Sequence, residues 1–241
     1  MILAGVDLAW QSHKNPSAIA SGNIVDNVLA VNMIHPAIYG IDSVFDTLMA
    51  IAQLSGIAID ASLIINNKSG MRPCEREISS CYGARGAACH ASNTTLYPNA
   101  DSVYLSKQLL NVGFNHLKSR RWQIECYPHP ALIEIFTLSK RLKYKKGKVT
   151  EKRTGQKQLA ALLLNLKHSN ILSLILNDQA SLIINGPRID SLKGQALKSN
   201  EDALDAIICL YVAGLYAIKH RGQICGNLSS GYIWVPSGPC L

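Results

Sequence analysis

The sequence predicts an α/β domain built on a mixed sheet, and three observations carry that prediction. The opening MILAGVDLAW is apolar at odd and even positions alike up to Asp7, which suits a strand covered on both faces. SAIASGN and IVDNVLAVNMI follow with a Gly-Asn turn between them, the pattern of a hairpin. Beyond the hairpin, strand-like and helix-like segments alternate, as they do when helices cover a sheet.

The elements read in order as follows. DSVFDTLMAIAQL has helical spacing, with Asp42 or Ser43 as its cap. GIAIDASLII reads as a second buried strand. Residues 66–100 are rich in Asn, Ser, Gly and Cys and lack a clear period, so loops with a short helix are expected. ADSVYLSKQLLNVGF reads as helix and RWQIECYP as a strand stopped by Pro128. PALIEIFTLSKRL opens on Pro130, which suits a first helical turn. YKKGK is a basic loop. GQKQLAALLLNLK and SNILSLILND read as two amphipathic helices, so a helical subdomain or lid is expected around 129–180. NEDALDAIICLYVAGLYAI is the last long helix, apolar all round from Ala203 except for Asp205 and the tyrosine hydroxyls; QICGN and GYIWVP are short closing strands. No linker or repeat divides the chain, and 1–241 reads as a single domain.

The totals narrow the class. No apolar run reaches the length of a membrane span, and MILAGVDLAW lacks the basic start of a signal peptide. The seven cysteines are odd in number and contain no Cys-x-x-Cys pair, which favours reduced thiols and a cytoplasmic protein. Cys74, Cys81, Cys89 and His90 have the spacing of no common zinc site. The formal charge is +8, and residues 118–157 hold 12 of the 24 Lys and Arg against three acids. Such a stretch is a solvated face or a surface that tracks phosphates, with Lys143, Lys145 and Lys146 at its centre.

Three apolar segments each carry one carboxylate: Asp7 in LAGVDLA, Asp60 in GIAIDAS and Asp205 in ALDAIICLYVA. A charged Asp in a dry interior must be paired, metal-bound or protonated. Asp7 and Asp60 could sit at strand ends. Asp202 could serve the helix start in SNED, with Ser199 as N-cap. Asp205 would then lie beyond the orphan amides of that start, on the face it shares with Asp202. Two carboxylates about 4 Å apart repel by about 4 kcal/mol at an effective dielectric near 20, so converging acids call for a cation. Oxygen-only ligands select Mg²⁺ or Mn²⁺, and a carboxylate cluster holding two such ions is the apparatus of phosphodiester hydrolysis. No phosphate-binding Gly-rich loop and no Gly-x-Ser-x-Gly elbow is present. His129 in YPHP either starts a helix or touches substrate.

GVDLAW, IDASL, GMRPCE, ECYPHPALIEIF, LKYKKGK, EDALDAIICLYVAG and GYIWVP fall in that order over nearly the whole chain. Together they resemble the domain of unknown function 429 family, predicted RNase H-like nucleases. The acidic pair of EDALDA also resembles the last helix of RuvC-type resolvases, which share that fold and use four acids with two metal ions. The resemblance implies a ribonuclease H-like fold, a mixed five-stranded sheet with helices on both faces. It places Asp7, Asp60, Asp202 and Asp205 as metal ligands. Glu125, Arg72 and Glu75 match family motifs without an assigned role. Ser62 stands where the family usually has Pro after IDA.

The resulting expectation is a Mg²⁺- or Mn²⁺-dependent nuclease. Asp7, Asp60, Asp205, Asp202 and Glu125 are its catalytic candidates, and Arg72, Lys143, Lys145 and Lys146 would hold a nucleic-acid partner. No membrane partner is expected, and the choice between monomer and dimer is open. The rival readings are a catalytically weak nucleic-acid-binding module on the same fold and an actin- or sugar-kinase-like phosphotransferase.

Overall fold

The computed structural model describes residues 1–10 and 13–241. Its first strand, β1 (Ile2–Asp7), pairs antiparallel with β2 (Ser17–Val25), which pairs antiparallel with β3 (Val28–Ile38). On its other side β1 pairs parallel with β4 (Leu54–Asp60), and β4 with β6 (Trp122–Glu125). Two short strands extend the edges in parallel: β5 (Asn115–His116) beside β6, and β7 (Ser173–Ile175) beside β3. The sheet is therefore seven-stranded, in the order β5-β6-β4-β1-β2-β3-β7. The expected count of five is corrected by these two edge segments, which cover backbone groups that an open edge leaves unpaired.

Helices cover both faces, and the pleat of β1 sorts them. Leu3 belongs to a core built with α8 (Gly194–Ala217), α4 (Pro128–Ile135) and α5 (Val149–Asn165). Ala4 and Val6 point the other way, toward α1 (Ile41–Met49) and α3 (Asp101–Asn111). β8 (Gly222–Asn227) and β9 (Gly231–Pro236) form a separate hairpin that shares a third core with α2 (Pro73–Tyr82).

Several local expectations are corrected. The hairpin turns at Asp26 and Asn27, both with positive φ, and not at Gly22-Asn23. Gly22 lies inside β2, where a Cβ would come within 2.4 Å of the Ala30 carbonyl oxygen. α1 is preceded by Gly40 with no side-chain cap, and α4 starts at Pro128. SNILSLILND is not a helix; it contains β7 and leads into α6 (Asp178–Ile183), with α7 (Gly186–Ser191) following. Alternating burial of a three-residue strand resembles helical spacing over so short a run. Because β7 pairs with β3, the 129–180 interval is joined to the main sheet and is no detached helical lid.

α8 fixes the site. It begins at Gly194, so Ser199 is not its cap and Asp202 does not serve its start. Asp205 lies about three turns in. The helix seats directly on β1 at Gly5, where an added Cβ would stand 1.9 Å from the Leu210 nitrogen and 2.4 Å from the Ala206 oxygen. Only a residue without a side chain allows that approach. It brings the turn that carries Asp205 over the strand that ends at Asp7.

A carboxylate cluster at the ends of the central strands

Asp7 and Asp60 are the last residues of β1 and β4 and are register partners across the parallel pair. The carboxyl ends of neighbouring parallel strands are where open α/β sheets bind ligands. Glu125 ends β6, the next strand out, opposite Ile59 of β4. α8 then lays Asp205 and Asp202 over this end of the sheet. Asp205 is 0% exposed and Asp202 3%.

Two ammonium groups stand among these acids, Lys145 and Lys198. Lys145 Nζ is 2.5 Å from Asp205 Oδ2 and 3.9 Å from Asp60 Oδ2. Those two oxygens are thus no farther apart than the two contacts laid end to end. The Tyr144 hydroxyl donates to Asp205 Oδ1 at 2.6 Å. Asp205 Oδ2 accepts no hydrogen bond of ordinary geometry, and its partner is the Lys145 charge alone. Asp7 lies within electrostatic reach of both Asp205 and Asp202. Lys198 reaches Asp202 at 2.5 Å and Glu201 at 2.9 Å from one turn earlier on α8.

The electrostatics follow from this crowding. Burial pushes the Asp7 carboxyl well above the usual range; Lys145 opposes the shift, and Asp205, Asp202 and Asp60 add to it. Burial likewise raises Asp60 to about 7, against Lys145 and with Asp205 and Glu125. Asp202 is raised by burial against the pull of Lys198. Burial works against the Lys145 charge, but Asp205 and its neighbours hold the ammonium protonated well above its ordinary value.

Lys145 is placed by the strap that precedes α5. Gly155 lets α5 approach it: a Cβ there would meet the Lys143 carbonyl oxygen at 1.9 Å. Tyr144 is fully buried, with the His129 ring against it at 5.5 Å. His129 is 7% exposed, its Nδ1 has no partner, and burial followed by Lys145 lowers it to about 4. It therefore stands neutral beside the cluster.

Glu125 and Arg72 have other work. The Arg72 guanidinium pairs with Glu125 through both terminal nitrogens (2.9 and 2.5 Å) and with Glu75 through Nε at 2.8 Å. It also donates to Ser62 Oγ and the Ile64 carbonyl. Glu125 Oε2 in turn accepts from the Leu63 amide. This network grips residues 62–64, the chain that leaves Asp60. Arg72, at 1% exposed, is committed to that network and is not free to bind substrate as expected. Glu125 uses both of its oxygens in that network.

A cleft of about 840 Å³ is lined by Asp60, by residues from the 88–92 segment and by the 141–147 strap. Lys143 and Lys146 line it and are exposed, with no acid paired to either among the described residues.

The donor set suits a small hard cation: carboxylate oxygens only, one of them buried without a hydrogen bond, around a side-chain cation. No group of three His, Cys, Asp or Glu among the described residues is placed to hold a metal ion. The sequence missed Tyr144 and Lys198. The spacing of Lys198 three and four residues before Glu201 and Asp202 was the available sign of the second.

The comparisons with known proteins fall in line with the ordered motifs. The family described as "Protein of unknown function (DUF429)" matches residues 5–226, and the chain belongs to it. No curated protein and no solved structure matches the chain. No helix among the described residues is long and apolar enough to cross a membrane.

Proposed function

We propose that this protein is a nuclease of ribonuclease H-like architecture that uses Mg²⁺ or Mn²⁺ at Asp7, Asp60, Asp205 and Asp202. One observation carries the reading. Asp7 and Asp60 end neighbouring parallel strands in register, and a helix seated on Gly5 lays a fully buried Asp205 against them. Such a cluster costs stability unless something positive completes it. The run β3-β2-β1-β4-β6 at the centre of the sheet, with helices on both faces, supports the architecture.

A divalent cation bound there would supply Lewis-acid activation of water and of the phosphate. The chain's own residues do the rest. The Arg72–Glu125 network holds the loop that follows Asp60, Tyr144 orients Asp205, and Lys143 and Lys146 face the phosphates. The free thiols support a cytoplasmic setting.

A second reading has one observation in its favour. Lys145 already neutralises Asp205, which suits a nucleic-acid-binding module that has lost catalysis. Cleavage of labelled single-stranded, duplex, hybrid and branched substrates with Mn²⁺ separates the two. The nuclease reading predicts cutting that Asp7→Asn and Asp60→Asn each reduce by at least about a hundredfold. Undiminished cutting by both variants overturns it, and salt-sensitive binding without any cutting favours the module.

A further inference from the structure

We infer that the cleft takes an unpaired strand, one or two nucleotides deep, with a base stacked on Trp10; this rests on the nuclease reading and narrows its substrate. Trp10 lies three residues beyond Asp7, lines the same cleft as Asp60, and is 43% exposed. An exposed tryptophan at the mouth of a cleft is a stacking surface that accepts any base. It is not a loose one. Its ring packs on Tyr97, with centroids 4.5 Å apart.

The loop that carries Tyr97 is braced throughout. The Tyr97 amide donates to the Asn93 carbonyl at 2.9 Å, and Asn93 Nδ2 donates to the Gly70 carbonyl at 3.0 Å. The Thr94 and Thr95 amides donate to the Asn67 and Lys68 carbonyls. The neighbouring Ser92 hydroxyl meets Ser62 Oγ at 2.8 Å, which ties the loop to the chain leaving Asp60. The platform is thus set in place before any ligand arrives, which lowers the ordering cost of binding.

The charges of the cleft are sorted by sign. Its acids are occupied: Asp60 faces Lys145, Glu75 and Glu125 share Arg72, and Glu151 caps α5 at the Lys148 amide. Lys143 and Lys146 line the same cleft as Trp10, with no acid paired to either among the described residues. A ligand that enters the cleft meets both free positive charge and an aromatic face. A phosphodiester with an unstacked base matches both. A cavity of this volume encloses a ligand of drug size, which is one or two nucleotides and not a paired helix.

The test measures binding by anisotropy in EDTA, where no cutting occurs. The probes are a labelled 12-nucleotide single strand, the blunt duplex of the same sequence and a mononucleotide. The expected result is single-strand binding at least about tenfold tighter than duplex binding. Trp10→Ala should weaken it about tenfold and Trp10→Phe should restore most of it. Duplex binding equal to single-strand binding overturns the inference and leaves the nuclease reading standing. So does a mononucleotide that binds as tightly as the 12-mer, which would mark a nucleotide pocket. Loss of all nucleic-acid binding, together with no cutting in Mn²⁺, overturns both.

Discussion

Lys145 Nζ lies 2.5 Å from Asp205 Oδ2, and that contact is the counter-charge of a carboxylate with no exposure to water. The ammonium stands at the point toward which three strand-end and helix acids direct their charge. A divalent cation and Lys145 therefore compete for Asp205. Lys145→Met should tighten Mn²⁺ binding by at least about tenfold in calorimetry, since the competitor is removed at close range. Unchanged or weaker binding would show that Lys145 and the cation do not share a place.

The same competition extends to protons. The folded chain keeps Asp60 protonated up to about 7, whereas the unfolded chain sheds that proton near 3.8. Between those values the folded state binds more protons, so metal-free stability falls as pH rises across that window. A cation takes the proton's role, and its binding releases the proton. The thermal shift caused by Mn²⁺ should grow from pH 6 to pH 8. A shift that is flat or shrinks over that range contradicts the assignment of Asp60.

Gly5→Ala tests the seat of α8. The added Cβ would overlap the Leu210 nitrogen at 1.9 Å and the Ala206 oxygen at 2.4 Å, both backbone atoms that no rotamer change can move. Overpacking of this kind costs about 1–3 kcal/mol or more, which lowers the melting temperature of a chain this size by about 2–12 °C. The melting curve of this variant should fall in that range or below it. A variant as stable as the wild type would mean that α8 does not rest on β1 at this point.

Arg72→Met leaves Glu75 and Glu125 buried with backbone amides as donors but no counter-charge. Breaking a buried ion pair from one side costs about 3–5 kcal/mol, so melting should fall by about 6–20 °C. Glu125→Gln keeps hydrogen bonding to Arg72 and Leu63 and should be milder. A reversed order of the two would indicate that Glu125 itself, and not the Arg72 network, supports the loop after Asp60.

Much of the architecture was legible in the chain. MILAGVDLAW, GIAIDAS and RWQIECYP declared their strands through apolar runs, and each ended in the acid that matters. The long apolar helix with Asp205 inside it could be recognised as buried. What escaped was set by distant contacts. The start of α8 at Gly194 and the short β7 depend on packing that no local pattern records. Arg72 could be recognised as part of a motif but not as an inward clamp, because its partners are separated from it by up to 53 residues. Lys145 could be singled out with Lys143 and Lys146 as a contact for nucleic acid, but not as the counter-charge of Asp205, a pairing that depends on the fold around the buried Tyr144.

Under the proposed function, Asp7, Asp60 and Asp205 form one cation site. A crystal structure of the wild-type protein soaked in Mn²⁺ tests it most directly, through the anomalous signal. The expected result is a Mn²⁺ peak bonded to carboxylate oxygens of Asp205 and at least one of Asp7 and Asp60, with the Lys145 ammonium displaced from Asp205. An absent peak, with Lys145 still paired to Asp205 at saturating Mn²⁺, would contradict it.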